Sequence, residues 1–339
     1  MKLKEIFLEK FKSNNIEIET SNDLIKNFLE KNTDYDPYLN SFFRWKFNLS
    51  QINEKYSKIY DFTGILKYNN QHIAFWPFTF IKDNNEFTSY GRNLLNPLFT
   101  RNLDNKIESN ICKNLLKSLF ELANEFKVKK LLLEDNFTNT NKFISNWHNI
   151  NLNYYPDIEL NYHIYTDLSL GYENLKSLYR KSYKSLINKT KKEFVVKILD
   201  PNDFEKYIEF KNLHKKISGR QTRSDKSWEL HFNAIQDSKS YLFYIENKTK
   251  MIGGSIINCT KKEAFYGVGV YDRDFFNNYS LSHLIQDEII QFLCKKKFKF
   301  YNLGEYNPSD HKSEKKLNDI SKFKMGFKTY LIPKFIFTH

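Results

Sequence analysis

FYGVGVYDRDFFNNYSLSHLIQDEIIQF (Phe265–Phe292) and FYNLGEYNPSDHKSEKKLNDISKFKMGF (Phe300–Phe327) are the stretches on which the fold turns. The first opens on aromatic and β-branched residues that predict a strand over Glu263–Val270. After a polar stretch, apolar residues at Leu281, Leu284, Ile285 and Ile289 keep helical spacing and predict a helix over Leu281–Cys294. The second predicts a strand over Phe298–Leu303, a turn at Gly304, and a lysine-rich loop that ends in Phe323-Lys324-Met325-Gly326-Phe327. A strand, a single helix and a second strand, in that order, imply layered α and β structure.

The same logic extends upstream. Strands are expected at Glu159–Thr166, Val195–Leu199, Tyr241–Glu246 and Met251–Cys259, and helices over Glu173–Phe194, Asn202–Ile217 and Asp225–Ile235. In the first half, a helix is expected around Asp23–Glu30, and an aromatic-rich segment covers Asp36–Phe47. Alternating runs at Tyr60–Tyr68 and His72–Ile81 flank Asn69-Asn70-Gln71 and read as a hairpin. The stretch Ser89–Phe99 reads as irregular. A long amphipathic helix over about Leu103–Phe126 precedes a strand at Lys130–Glu134, a helix near Asn141–His148 and a strand near Leu152. The expectation is an α+β (mixed α/β) chain with one mixed sheet in each half, residues 1–155 and 156–339.

Composition narrows the function less than it narrows the class. The 339 residues are 40% hydrophobic, 17% aromatic and 27% charged, which is globular composition and excludes wholesale disorder. No apolar run reaches the roughly 18 residues of a membrane-spanning helix, and the opening MKLKEIFLEKFKSN does not read as a signal peptide. Cys112, Cys259 and Cys294 are far apart with no CxxC pair, which suits a reducing cytoplasm and excludes a cysteine zinc site. The 53 Lys plus Arg against 40 Asp plus Glu leave a net charge of +13. That favours an anionic partner such as RNA, a phosphorylated or nucleotide-linked substrate, or an acidic membrane surface. Heavy use of Lys, Asn, Ile, Phe and Tyr also follows from an AT-rich genome, so charge alone selects no partner.

Four segments resemble the FemAB/FemX peptidyltransferases and the wider tandem GNAT-like group. They are Tyr179–Val196, with spaced Lys and Arg, His214–Leu230, Phe265–Phe292 and Phe300–Phe327, with the closing FKxxF element. The first half matches in Phe42–Phe47 and in SYGRNLLNP. The resemblance implies two GNAT-like domains with the acceptor along the cleft between them, and a final strand, Tyr330–Phe337, able to return to the first domain. It also implies transfer of an acyl group, often aminoacyl from aminoacyl-tRNA, to an amino group of a cell-envelope or surface-polysaccharide precursor, nucleotide- or lipid-linked. Acyl-CoA is the alternative donor. No permanently bound cofactor or metal is implied, and peripheral contact with an anionic membrane is compatible with the charge.

Acyl transfer to an amine passes through a tetrahedral intermediate whose oxygen carries charge, and one strong donor aimed at that oxygen lowers the barrier by about 3–4 kcal/mol. Lys324 is the family-matched candidate, flanked by Phe323 and Phe327; the competing reading is a surface lysine. Glu305, after Gly304 at a strand end, is the candidate base for the amine, with Asp310 and Asp319 as looser ones. Lys46, Tyr90, Arg92 and Phe323 enter as substrate-binding residues through the resemblance. Tyr271, Asn277, Tyr279 and Ser280 sit between a strand and a helix whose free N–H groups suit an anion. Acetyl-CoA-dependent GNAT enzymes carry a glycine-rich turn there, and this chain has YDRDFFNNYSLSHL, with no glycine. Lys181, Lys184 and Lys189, with Arg220 and Arg223, are candidates for a phosphate-binding wall; a solvated helix face is the alternative. His214, His231 and His283 show no metal-binding spacing. A non-catalytic GNAT-shaped module that binds RNA or an anionic glycan is the rival to the enzyme.

Overall fold

The structure is a computed structural model that describes residues 2–34, 41–100, 103–137, 144–275, 278–306 and 315–339. The chain divides into two units, one of Met1–Thr33, Asn40–Asn161 and Pro333–His339, the other of Asp34–Leu39 and Tyr162–Ile332.

The first unit begins with α1 (Lys2–Lys12), β1 (Glu17–Glu19), α2 (Asn22–Asn32) and α3 (Phe42–Lys55). Short strands follow: β2 (Ile59–Asp61), β3 (Gly64–Tyr68), β4 (Gln71–Trp76), β5 (Thr79–Ile81), β6 (Glu86–Thr88), β7 (Leu94–Leu95) and β8 (Leu98–Phe99). Then come α4 (Asn105–Glu125), β9 (Leu132–Asn136) and α5 (Asn146–Leu152). The expected hairpin forms between β3 and β4, and Asn69 and Asn70 close it with φ of 48° and 61°, the left-handed pair that a two-residue turn demands. Asp104 caps α4 by accepting from the N–H groups of Lys106 and Ile107. Where one mixed sheet was expected, the strands split into a sheet β1-β3-β4-β8, a separate sheet β2-β5-β6, and a parallel pairing of β7 with β9. The strand expected near Leu152 is instead the end of α5, which buries Trp147 and Ile150. Phe7, Phe62, Trp76, Phe78, Leu115, Leu119 and Trp147 meet in the core of this unit.

The second unit contains β10 (Asp157–Asp167, from Tyr162 on), α6 (Tyr172–Leu178), α7 (Lys181–Lys191), β11 (Val196–Ile198), α8 (Phe204–Ser218) and α9 (Asp225–Gln236). It continues with β12 (Ser240–Asn247), β13 (Lys250–Cys259), β14 (Glu263–Tyr271), α10 (Leu281–Lys295), β15 (Phe300–Tyr306) and α11 (Lys315–Met325). A last strand, β16 (Tyr330–Thr338), starts in this unit and from Pro333 onward belongs to the first, where it pairs antiparallel with β9. The sheet order is β11-β12-β13-β14-β15-β10, mixed because β14 and β15 run parallel while the other pairings between these strands are antiparallel.

Alternation along β12 sorts the helices onto the two faces of this sheet. Phe243 and Ile245 join a core with Ile187 of α7 and Leu284, Ile285 and Ile289 of α10. Leu242 and Tyr244 join another with Tyr207 and Phe210 of α8 and Trp228 and Phe232 of α9.

Two expectations change here. The single helix read over Glu173–Phe194 is two, broken where Tyr179 and Arg180 take extended ψ of 151° and 133° and the Arg180 N–H donates to the Gly326 carbonyl at 3.0 Å. The lysine-rich stretch before Gly326, read as a loop, is α11 over Lys315–Met325. Its Ile320 and Phe323 repeat at the three-residue step of a helical face.

Candidate functional site

The parallel pairing of β14 with β15 covers Glu263–Phe265 against Phe300–Asn302 and stops there. Beyond it β14 runs on to Tyr271 along β13, and β15 runs on to Tyr306 along β10. The two strands therefore part, and their facing backbone N–H and C=O groups form no ladder with each other from Tyr266 and Leu303 onward. Such groups are obligatory hydrogen-bonding partners for whatever enters the opening.

The parting point is built by a bulge. Ile164 pairs with Gly304 and Tyr165 with Asn302, so Leu303 is the extra residue on β15. Gly304 then adopts φ +101°, a conformation for which glycine is suited. The Asn302 carboxamide locks the bulge: its oxygen accepts from the Gly304 N–H at 2.8 Å, and its nitrogen donates to the Tyr165 hydroxyl at 3.1 Å. Tyr165 in turn donates to the Glu263 carboxylate at 2.9 Å.

Lys324, in the last turn of α11, reaches this point. A Cβ placed on Gly304 would stand 2.7 Å from Lys324 Nζ, so the ammonium occupies the space that a side chain there would need. Nζ also lies 5.9 Å from the centre of the Tyr266 ring on the other strand. The lysine thus stands beside one residue of each parting strand. Among the described residues it forms no hydrogen bond or ion pair. Burial pushes its pKa down to about 8, against the pull of the Glu305 carboxylate. Behind Tyr266, its hydroxyl lies 3.4 Å from that of Tyr271, which is 2.7 Å from the Ser255 hydroxyl.

The other expected residues are placed as follows. Phe323 packs edge-on to His283 (4.9 Å) and Phe327 (5.6 Å) rather than standing free. Tyr279 meets Phe194 edge-on at 5.0 Å, and Ser280 takes the N-cap position of α10 without a side-chain capping bond, its N–H donating to Thr190 Oγ1 at 3.0 Å. Lys181, Lys184 and Lys189 are exposed on α7. Asn277 and Asp310 lie outside the described residues; Asp319 is exposed on α11.

The expected phosphate wall is not assembled as drawn. The helices α7 and α8 pack on opposite faces of the sheet. Arg223 donates to His214 Nε2 at 2.9 Å and lies over the Trp228 ring at 5.7 Å. Burial and this guanidinium push His214 down to about 4, so it accepts as neutral imidazole. Arg220 is exposed after α8.

Lys46, Tyr90 and Arg92 belong to the first unit. Lys46 Nζ donates to Asn22 Oδ1 at 2.9 Å and sits 3.8 Å from the centre of the Trp45 ring. Burial lowers its pKa while the Asp61 carboxylate raises it. Asp61, which the sequence did not single out, accepts from the Thr63 N–H at 3.0 Å, and burial raises its pKa. Tyr90 is buried with φ +60°, and Arg92 is exposed beside it in a bridge to Ser89.

Sequence reasoning also missed Tyr183 and Tyr266. The signal for Tyr183 was Gly326, the small residue in FKMGF: a Cβ there would meet the Tyr183 ring at 2.1 Å.

No known protein-family model matches the sequence, and no curated protein matches it. Solved structures do. FemX superposes with a TM-score of 0.64 at 11% identity, over 94% of this chain and 96% of FemX. The chain has the FemX fold, a tandem GNAT-like fold. L-PGS from Bacillus licheniformis shares the FemX-like fold with a TM-score of 0.53 at 11% identity, over 81% of this chain and 83% of L-PGS. A conserved protein of unknown function from Bacteroides thetaiotaomicron matches with a TM-score of 0.57 at 12% identity, over 95% and 98% of the two chains. Among the described residues, no helix of this FemX-like chain is long and apolar enough to cross a membrane, and no cluster of three His, Cys, Asp or Glu side chains is placed to hold a metal ion.

Proposed function

We propose that the protein is an acyltransferase that moves an aminoacyl or acyl group onto an amine. The observation that carries this is the Lys324 ammonium at the parting of β14 and β15. An extended acyl donor lying in the opening between the parting strands can bring its carbonyl to that ammonium. The amine attacks the carbonyl carbon, forming a C–N bond, and the oxygen takes negative charge that Lys324 stabilises. The amine gives up a proton to Glu305 or to the substrate, the intermediate collapses, and the leaving oxygen or sulfur of the donor departs with a proton.

The finer reading is transfer to an amino group of a cell-envelope or surface-polysaccharide precursor, in the cytoplasm, with peripheral contact to an anionic membrane. The exposed lysines of α7 support an anionic donor or acceptor. The lack of glycine between Tyr271 and Leu284 supports aminoacyl-tRNA over acyl-CoA, because a close backbone approach to a pyrophosphate needs glycine there. The shared fold with FemX and L-PGS supports the same class.

The test is direct. The protein is incubated separately with charged tRNA and with labelled acetyl-CoA, each with amino-sugar nucleotide and peptide acceptors, and the products are read by mass spectrometry. Transfer that disappears in Lys324→Ala supports the reading. Binding of RNA or an anionic glycan with no transfer from either donor would instead leave a non-catalytic module.

A further inference from the structure

The end of α11 that carries Lys324 is held from outside the helix. Helices leave their last carbonyls without intrahelical partners, and here a tyrosine takes two of them. The Tyr183 hydroxyl, from the first turn of α7, donates to the Phe323 carbonyl at 3.0 Å and lies 3.3 Å from that of Lys322. The Arg180 N–H, at the N-cap of α7, donates to the Gly326 carbonyl at 3.0 Å. The Tyr183 ring covers Gly326 so closely that no Cβ fits there. It also stands edge-on to His283 at 4.4 Å and packs on Phe327 at 5.0 Å.

The main chain is therefore gripped immediately before and after Lys324, at residues 322, 323 and 326, while its own ammonium forms no bond among the described residues. A half-buried lysine that forms no hydrogen bond or ion pair among the described residues has many rotamers open to it. Fixing the backbone on both sides is what confines Nζ to the space beside Gly304.

We propose that Tyr183 is a positioning residue for Lys324, acting through the hydrogen bonds of its hydroxyl to the end of α11. The proposal rests on the reading that Lys324 is the catalytic cation, and its test has a readout that needs no turnover. Competitive labelling of the folded protein with acetic anhydride across pH, followed by peptide mass spectrometry, gives the midpoint at which the Lys324 amine becomes reactive. In the wild type that midpoint is expected at about 8. In Tyr183→Phe, which keeps the ring against Gly326 and removes only the hydroxyl, the midpoint moves up towards that of an ordinary lysine as Nζ escapes to water. Gly326→Ala, which pushes on the same ring, moves it the same way and serves if Tyr183→Phe does not fold. Tyr172→Phe is the control: it removes a phenol that donates to Asp287 at 3.0 Å, elsewhere in the same unit, and leaves the Lys324 midpoint unchanged.

Where a transfer assay is in hand, Tyr183→Phe lowers kcat about tenfold and leaves the acceptor KM within about twofold, as expected for an interaction that serves the transition state. A Lys324 midpoint that stays put in both Tyr183→Phe and Gly326→Ala overturns the proposal. A shifted midpoint in a protein that transfers nothing would keep Tyr183 as the support of this lysine and remove the enzymatic reading alone.

Discussion

Replacing Lys324 by Met should make the protein more stable and inactive at once. Met keeps the unbranched stem and deletes the charge. The folded-state pKa of about 8, against 10.5 for the free side chain, already includes the opposing pull of Glu305. At about pH 7 the folded form carries the ammonium at a cost of roughly 3 kcal/mol, and at about pH 10, where most of it has lost its proton, the cost falls to about 1 kcal/mol. Because the folded pKa lies below the unfolded one, the unfolded chain binds more protons between these limits. Wild-type stability contributed by this group therefore rises with pH from about 8 to 10.5. Urea denaturation of both proteins at pH 7 and pH 10 measures it. The advantage of Lys324→Met should be largest at pH 7 and shrink by about 2 kcal/mol at pH 10. An advantage that is flat across pH, or a variant less stable than wild type at pH 7, would refute the claim that the lysine is held in a poorly solvated place. Activity supplies the other half. Lys324→Ala should lower kcat by about 10²–10³-fold with a much smaller change in acceptor KM, and wild-type activity should decline above about pH 8 as the ammonium is lost.

Gly304→Ala places a methyl group 2.7 Å from Lys324 Nζ in a backbone at φ +101°; it should destabilise by about 1–3 kcal/mol and lower kcat at least tenfold, read by denaturation and initial rates. Asp287, buried on α10, has its pKa raised by burial although Tyr172 hydrogen-bonds to it. Its contribution to stability is therefore largest below the unfolded carboxylate pKa and declines as pH rises, so Asp287→Asn should gain stability over wild type at pH 7 and lose that gain near pH 4 in urea titrations. Arg223→Ala should cost stability through the lost contacts to His214 and Trp228, with little change in affinity for an anionic donor. Lys184→Ala should do the reverse, with a salt-dependent loss of affinity measured by calorimetry.

What the sequence disclosed and what it hid follow physical lines. The helix from Leu281 and the strands around it were legible because their apolar residues repeat at 3.6 or fill a buried run. Lys324 was legible through its place in FKMGF, yet not the helix beneath it, because lysines mask the sparse apolar face of Lys315–Met325. The break at Tyr179–Arg180 left no mark, since neither glycine nor proline stands there; a distant carbonyl, that of Gly326, makes it. The opening between β14 and β15 was equally hidden, because strand pairing that stops after Phe265 is decided by register and not by residue type. Arg223 was legible as a cation, but not its hydrogen bond to His214 or its place over Trp228, which depend on how its neighbours fold around it.

The last strand sets an order on how the chain can become folded. Lys334–Thr338 pair with Leu132–Asn136, and Lys334 forms a buried ion pair with Glu134 at 3.2 Å. Every one of these partners lies far apart in sequence, with the whole of Tyr162–Ile332 between them. During synthesis, β9 must therefore wait with an exposed edge, and Glu134 without its cation, until the ribosome has released almost the entire second unit. A chaperone or a ribosome pausing before β16 would act on the unit that holds β9, and loss of Lys334–Thr338 would first unmake structure that left the ribosome long before it.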